Sequence, residues 1–341
     1  MRCYYLRRRP TALDRAAGFF AQNAMDPLSD VLKTVRLDGA VYLNAEFTAP
    51  WCARTRFGLM AAAGLPGAEG PAVFFHFLLE GRLKVRLEHG GEAVEAGPGD
   101  MILLPQDDTH VLGSDLQLAP FDSTALVSLP PAGEMIQLRH GGGGEATRFV
   151  CGYLLCDRRM SRPLFDSLPR LLRIPVGEAG GAAWIAELLR AGVRETALSR
   201  PGSASMLAKL SELLFVESMR RYADSLAPNQ NGWLAALRDP HVGRALAVMH
   251  GDPGRAWTVE DLAREVALSR SPSAERELIG EPPMQYLTRW RLALAAQSLR
   301  AGAEPVARIA ERVGYESEAA FNRAFKREFG APPAKWRRAA A

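Results

Sequence analysis

The chain has 341 residues, 48% of them hydrophobic and 23% charged, with a net charge of +4. That length suits two domains with a proper core each, and four cysteines are too few for a disulfide scaffold. No apolar run approaches the roughly 20 residues of a membrane span, and the cysteine usage points to a reducing, cytoplasmic home.

Residues 1–24 carry five Arg and one Asp with no continuous apolar segment behind them, so they fail as a signal peptide and read as a disordered extension. Between Ala40 and Ala125, short runs such as "AVFFHFLLEG" and "RLKVRLEHGGEAVEAGPGDMILLP" predict an antiparallel sandwich or small barrel, with a hairpin at Gly90-Gly91. "ATRFVCGYLLCD" adds a further strand, and helical periods take over from "RPLFDSLPRLL". In "SASMLAKLSELLFVESMRRYAD", Leu207, Leu210 and Leu214 make an apolar stripe. The stripe suits packing on the barrel or a two-fold contact between copies, and a homodimer through these leucines is the expectation.

After the linker "SLAPNQNGW" the chain is all helix in short pieces. Residues 232–341 hold 17 Lys and Arg against 13 acids, whereas residues 25–231 hold 20 bases against 24 acids. The split predicts two surfaces with different partners. Two helix-turn-helix units are legible: "TVEDLAREVA" with "SRSPSAEREL", and "PVARIAERV" with "SEAAFNRAFKREF", joined by a long helix from Pro283 to Leu299. The second helix of such a unit lies in a DNA major groove. In the second unit Phe321, Phe325 and Phe329 share one helix side, leaving Ala319, Arg323, Lys326 and Arg327 on the other. Glu318, Ala319, Asn322 and Arg323 are placed to reach base edges, since Arg suits guanine, Asn adenine and Glu cytosine. Lys326, Arg327 and Lys335 sit where phosphate is expected. The first unit is three residues shorter and has no aromatic anchors, so Arg270, Ser273 and Arg276 are expected to add phosphate contact more than base reading.

"IAERVGYESEAAFNRAFKREFGAPPAKWR", with "PPMQYLTRWRLALAAQSLR" before it, resembles the signature segment of the AraC/XylS family of bacterial transcription regulators. "FHFLLEGRLKVRL", "GPGDMILLPQDDTHVL" and "CGYLLCDRRMSRPLFDSLP" are similar to the cupin-like sensor of many such regulators. The resemblance implies an α+β multidomain chain: a cupin-like β-barrel over 25–200, a helical connector over 201–231, and an all-α double helix-turn-helix domain over 232–341. It implies double-stranded DNA, a small-molecule effector, a second copy and RNA polymerase as partners.

Cupin enzymes hold a metal through histidines and a glutamate on inward strand positions. Here His76 and His110 occupy part of that pattern, with Glu80 as a remote third candidate, one ligand short of a stable catalytic site. The expectation is therefore no metal, no cofactor and no catalytic residue, with Trp51, His76, His110 and Cys151 lining an effector pocket. The rival reading is a metal-dependent cupin enzyme, a dioxygenase or isomerase with an appended helical module.

Overall fold

A computed structural model describes residues 26–34, 38–56, 72–127, 135–156, 160, 162–177, 183–197, 200–227, 230–266, 279–302 and 304–340. These fall into two compact units, Leu32–Ala235 and Ala236–Ala341, the second taking in the described residues before Leu32. The extension over residues 1–24 lies outside the described residues, as do Arg270, Ser273 and Arg276.

The first unit is a β-sandwich of two sheets. Its strands are β1 (Asp38–Thr48), β2 (Cys52–Thr55), β3 (Ala72–Glu80), β4 (Leu83–Leu87), β5 (Val94–Ala96), β6 (Asp100–Leu104), β7 (His110–Gly113), β8 (Phe121–Asp122), β9 (Ile136–Gly141), β10 (Ala146–Leu155) and β11 (Leu172–Pro175). One sheet runs β11-β6-β3-β10-β1-β9 and the other β5-β4-β7-β2-β8. Most neighbours are antiparallel, while β1 with β9 and β2 with β8 are parallel. The expected hairpin joins β4 to β5, with Gly90 and Gly91 at φ 122° and 101°, a backbone that glycine adopts without steric cost.

Successive strand residues point to opposite faces. On β3 the even positions Ala72, Phe74 and Leu78 enter the core between the sheets. Val73, Phe75 and Phe77 are also buried, so β3 is covered on both faces and reads as a continuous apolar run. The other face of the larger sheet is covered by helix α4 (Ser203–Ser225), which follows α1 (Pro27–Thr34), α2 (Arg162–Asp166) and α3 (Ala183–Ala197) and packs on β1, β10, β11 and α3. Gly39 permits the close approach of α4 to β1, because a Cβ there would stand 2.2 Å from Ser211 Oγ. The Ser218 hydroxyl donates to Met101 Sδ at 2.9 Å on the same face.

The structure bears on three expectations. Leu207, Leu210 and Leu214 are buried in their own unit at 1%, 5% and 0% exposure, so the leucine stripe is consumed by α3 and the sheet and is closed to a second copy. The segment 201–231 groups with the sandwich unit. Residues 172–175, read as helical, instead form β11, paired with β6 in the register Ile174 to Met101. A four-residue run has little intrinsic preference, and pairing on an open sheet edge decides it.

The second unit contains α5 (Pro240–Gly251), α6 (Val259–Glu265), α7 (Pro283–Ala301), α8 (Val306–Arg312), α9 (Glu318–Phe329) and α10 (Pro333–Ala340). The sequence supplies their caps. Thr258 and Asp261 form a reciprocal capping box on α6, Pro283 opens α7 where its missing N–H is no loss, and Asp239 accepts from the His241 and Val242 amides on α5. Helix α7 buries Tyr286, Leu287, Trp290 and Leu299 at the centre of the unit. His250 stacks on Trp290 at 3.9 Å and lies 2.7 Å from the Tyr286 hydroxyl.

Candidate functional site

Two places concentrate chemistry, one in each unit. In the second unit, the Ser317 hydroxyl accepts the Ala320 amide at 3.2 Å to start α9, and Gly330 stops it at φ 77°. Phe321, Phe325 and Phe329 are buried, with successive ring centroids 5.5 and 4.6 Å apart. Trp336 of α10 closes over them, 4.8 Å from Phe329, and Tyr315 stands 5.4 Å from Phe321. One side of α9 is thereby fixed in an aromatic core.

The opposite side faces water. Glu318, Ala319, Arg323, Lys326 and Arg327 are exposed and Asn322 is half-buried. Among the described residues no carboxylate pairs with Arg323, Lys326 or Arg327, whereas other arginines of this unit are paired, such as Arg264 with Asp261 at 2.6 Å and Arg312 with Glu304 at 2.8 Å. A row of unpaired cations on a short rigid helix, with amide and carboxylate groups near its N-terminus, is suited to phosphate and base edges.

In the first unit the four residues read as an effector pocket fall in one region. Cys151 and His76 are cross-strand partners on β10 and β3, and such pairs face each other at contact distance. His110 belongs to β7 of the other sheet, and its ring meets His76 across the sandwich. Cys151 Sγ lies 3.0 Å from His76 Nδ1, His76 Nε2 lies 2.7 Å from His110 Nε2, and His110 Nδ1 lies 2.9 Å from the Asp108 carbonyl oxygen. The carbonyl only accepts, so His110 carries its proton on Nδ1 and presents a lone pair at Nε2. His76 must then donate from Nε2, which leaves its Nδ1 to accept the Cys151 S–H. The chain of donors runs in a single direction and requires both rings neutral.

Burial enforces that state. Both histidines are enclosed, at 2% and 0% exposure. Desolvation, with the neighbouring His110, pushes His76 well below the usual histidine range, and desolvation brings His110 down to about 4 against a smaller upward pull from Asp108. Burial pushes the Cys151 thiol up, so it is held as a neutral thiol. Trp51 joins this region through Phe149, stacked at 6.1 Å, which itself stands 5.7 Å from His76. The Trp51 indole N–H is buried without a hydrogen-bond partner. Phe74, Leu104, Leu112 and Phe149 fill the space around the group.

The donor set does not converge. His76 stands between Cys151 and His110 and spends one nitrogen on each, and Glu80 is exposed at the end of β3, paired with Arg148 at 3.1 Å. Among the described residues no three His, Cys, Asp or Glu side chains are grouped to hold a metal ion. Two contributors were not visible in the sequence. Phe149 connects Trp51 to the histidines only because β10 lies beside β3, and the Asp108 carbonyl, which sets the polarity of the relay, has no side-chain signature.

A cupin family model matches residues 26–224, and a helix-turn-helix domain model matches residues 262–339. The chain is similar to an AraC-like transcription regulator of Streptomyces lividans, 32% identical over 318 residues that cover 92% of this chain and 98% of the relative. It is also similar to the HTH-type transcriptional regulator AlkR of Acinetobacter baylyi, 30% identical over 92% of this chain and 99% of AlkR. The RCS-specific HTH-type transcriptional activator RclR of Escherichia coli is 30% identical over 92% of this chain and 97% of RclR.

Proposed function

This chain belongs to the AraC-like transcription regulators, and from that premise we propose that α9 carries most of its base reading while the Cys151–His76–His110 group answers a small effector. It is a DNA-binding transcription regulator with a cupin-like N-terminal domain. The observation that supports α9 as the reading helix is its division into a buried aromatic side and an exposed side of unpaired cations. Arg323, Asn322 and Glu318 take base edges; Lys326, Arg327 and the exposed Lys335 take phosphates. Arg270, Ser273 and Arg276 of the first helix-turn-helix unit supply phosphate contact more than base reading. DNA fragments selected from a random pool by the purified chain test this reading: one strong sequence block with a weaker neighbour is expected, the strong block being lost in Arg323→Ala, and selection unaltered in that variant overturns it.

The effector reading rests on the one-directional relay and the unpartnered Trp51 N–H inside the sandwich. A molecule that offers Trp51 an acceptor, or takes the place of one relay partner, changes the packing that β3, β7 and β10 share. Two further partners complete the proposal. A second copy docks through exposed apolar residues of α3 and α4, Trp184, Leu188 and Leu213 at 50%, 43% and 46% exposure, instead of the buried leucine stripe. RNA polymerase is the recipient of the regulatory output.

A further inference from the structure

Helix α7 does more than join the two helix-turn-helix units. Its Arg291 reaches back 38 residues in sequence: Nε donates to the Pro253 carbonyl at 2.6 Å and Nη2 donates to the Arg255 carbonyl at 2.7 Å. Those carbonyls belong to the loop that leads into α6, the first helix of the first helix-turn-helix unit. The same loop is fixed from its other end, where the Trp257 indole donates to the Asp252 carbonyl at 2.8 Å and the Arg255 guanidinium lies over the Trp257 ring at 3.9 Å.

The guanidinium also abuts the turn of the second helix-turn-helix unit. Gly314, at φ 81°, is the first residue after α8 and its C-cap Val313, and a Cβ there would stand 2.6 Å from the Gly254 carbonyl oxygen and 2.9 Å from Arg291 Nη2. A Cβ on Gly254 would in turn stand 2.9 Å from the Arg312 carbonyl oxygen. Two backbones therefore meet at van der Waals distance, one leading into the first helix-turn-helix unit and one forming the turn of the second, with Arg291 closing the joint. Two residues earlier on α7, Arg289 pairs with the buried Glu281 at 2.8 Å, just before α7, and approaches Glu328 near the end of α9 at 3.9 Å.

We infer that Arg291, with the Gly254–Gly314 contact it closes, is a positioning element that sets the distance and rotation between the two helix-turn-helix units, and so makes recognition depend on the spacing between DNA blocks. The inference rests on the DNA-reading role proposed above. A planar guanidinium suits the task, because its fork satisfies two carbonyls at fixed angles, whereas a lysine offers a single rotating point charge. A joint this tight transmits strain instead of absorbing it. Adjacent reading heads are placed about one helical turn of 10 to 10.5 base pairs apart on DNA, so adding two base pairs turns the second block by about 70° away from its unit.

The test uses the full chain and duplexes carrying the selected block with its neighbour at the selected spacing, with two base pairs added, or with the neighbour scrambled. Wild type is expected to lose about tenfold in affinity on the added pairs, the size of one mismatched base pair or more. Arg291→Ala is expected to keep affinity for the scrambled-neighbour duplex within about twofold while its penalty for added pairs falls below about threefold. Gly314→Ala should do the same from the other side of the joint, and Arg291→Lys should lie between. Thermal melting identifies a variant that does not fold, in which case the other site decides. The inference is overturned if wild type ignores spacing, if both variants keep the full penalty, or if affinity for single and paired blocks falls equally. Absence of DNA selection by wild type would instead overturn the DNA-reading role.

Discussion

The interior of the sandwich and the outer side of α9 treat polar groups in opposite ways. Cys151, His76 and His110 are enclosed and consume one another's hydrogen bonds in a fixed order. Arg323, Lys326 and Arg327 are exposed and unpaired among the described residues. Buried polar groups must be satisfied where they stand, so they become part of the fold. Exposed charges cost the fold almost nothing and stay available for another molecule. Changes inside the sandwich should therefore register first as stability, and changes on the outer side of α9 first as affinity.

The strongest test of that separation turns α9 around. Phe325→Ala removes a fully buried ring from the aromatic core, with an expected loss of about 3 to 5 kcal/mol. Denaturant unfolding followed by tryptophan fluorescence should show it, with DNA binding lost as a consequence. A Phe325→Ala protein of undiminished stability would mean that the two sides of α9 are not divided as described.

Acid should act on the sandwich before it acts on α9. His76 and His110 are held below the usual histidine range in the folded state, with His110 at about 4, so the unfolded chain binds more protons between about pH 6.5 and pH 4. Stability contributed by these rings is present above that window and is lost as pH falls through it, by about 2 kcal/mol between pH 7 and pH 5 for His110 alone. Replacing His110 with Phe should remove that part of the pH dependence. Calorimetric scans of both proteins at the two pH values give the comparison, and equal slopes would refute the burial argument.

On the outer side, Arg323→Ala should weaken selected DNA by about 1 to 3 kcal/mol and relax one base position, with the melting temperature unchanged. A fall in melting temperature comparable with that of Phe325→Ala would dissolve the contrast. Lys326→Ala carries the smallest expected effect. Affinity should drop nearly equally for all sequences, and the slope of log K against log salt should shrink by about one. A base-specific loss in a filter-binding titration across salt would move Lys326 from phosphate to base contact.

Much of the second unit was legible in the sequence because its determinants are local. The capping box of Thr258 and Asp261, the proline start at Pro283, the Ser317 cap and the three phenylalanines spaced by four all act within one or two helical turns. Their spacing alone assigned the inner and outer sides of α9. The same local reasoning found the glycine hairpin between β4 and β5. It also grouped Trp51, His76, His110 and Cys151 as candidates to line a pocket inside the barrel, without establishing which of them touch.

Tertiary structure decided what depends on partners distant in sequence. The stripe of Leu207, Leu210 and Leu214 would look the same for a helix that meets a second copy and for one that meets its own sheet. Packing against β1 and α3 chose the sheet and left Leu213 outside. Residues 172–175 became a strand because β6 offered an edge. His76 meets His110 only because two sheets stack about 10 Å apart, and Arg291 closes on carbonyls 36 and 38 residues away. The sequence by itself determined the helices, their caps and their exposed faces, since hydrogen bonds and periodicity act over a few residues. The relay in the sandwich and the joint between the helix-turn-helix units arose from register and packing, which depend on all strands or helices at once.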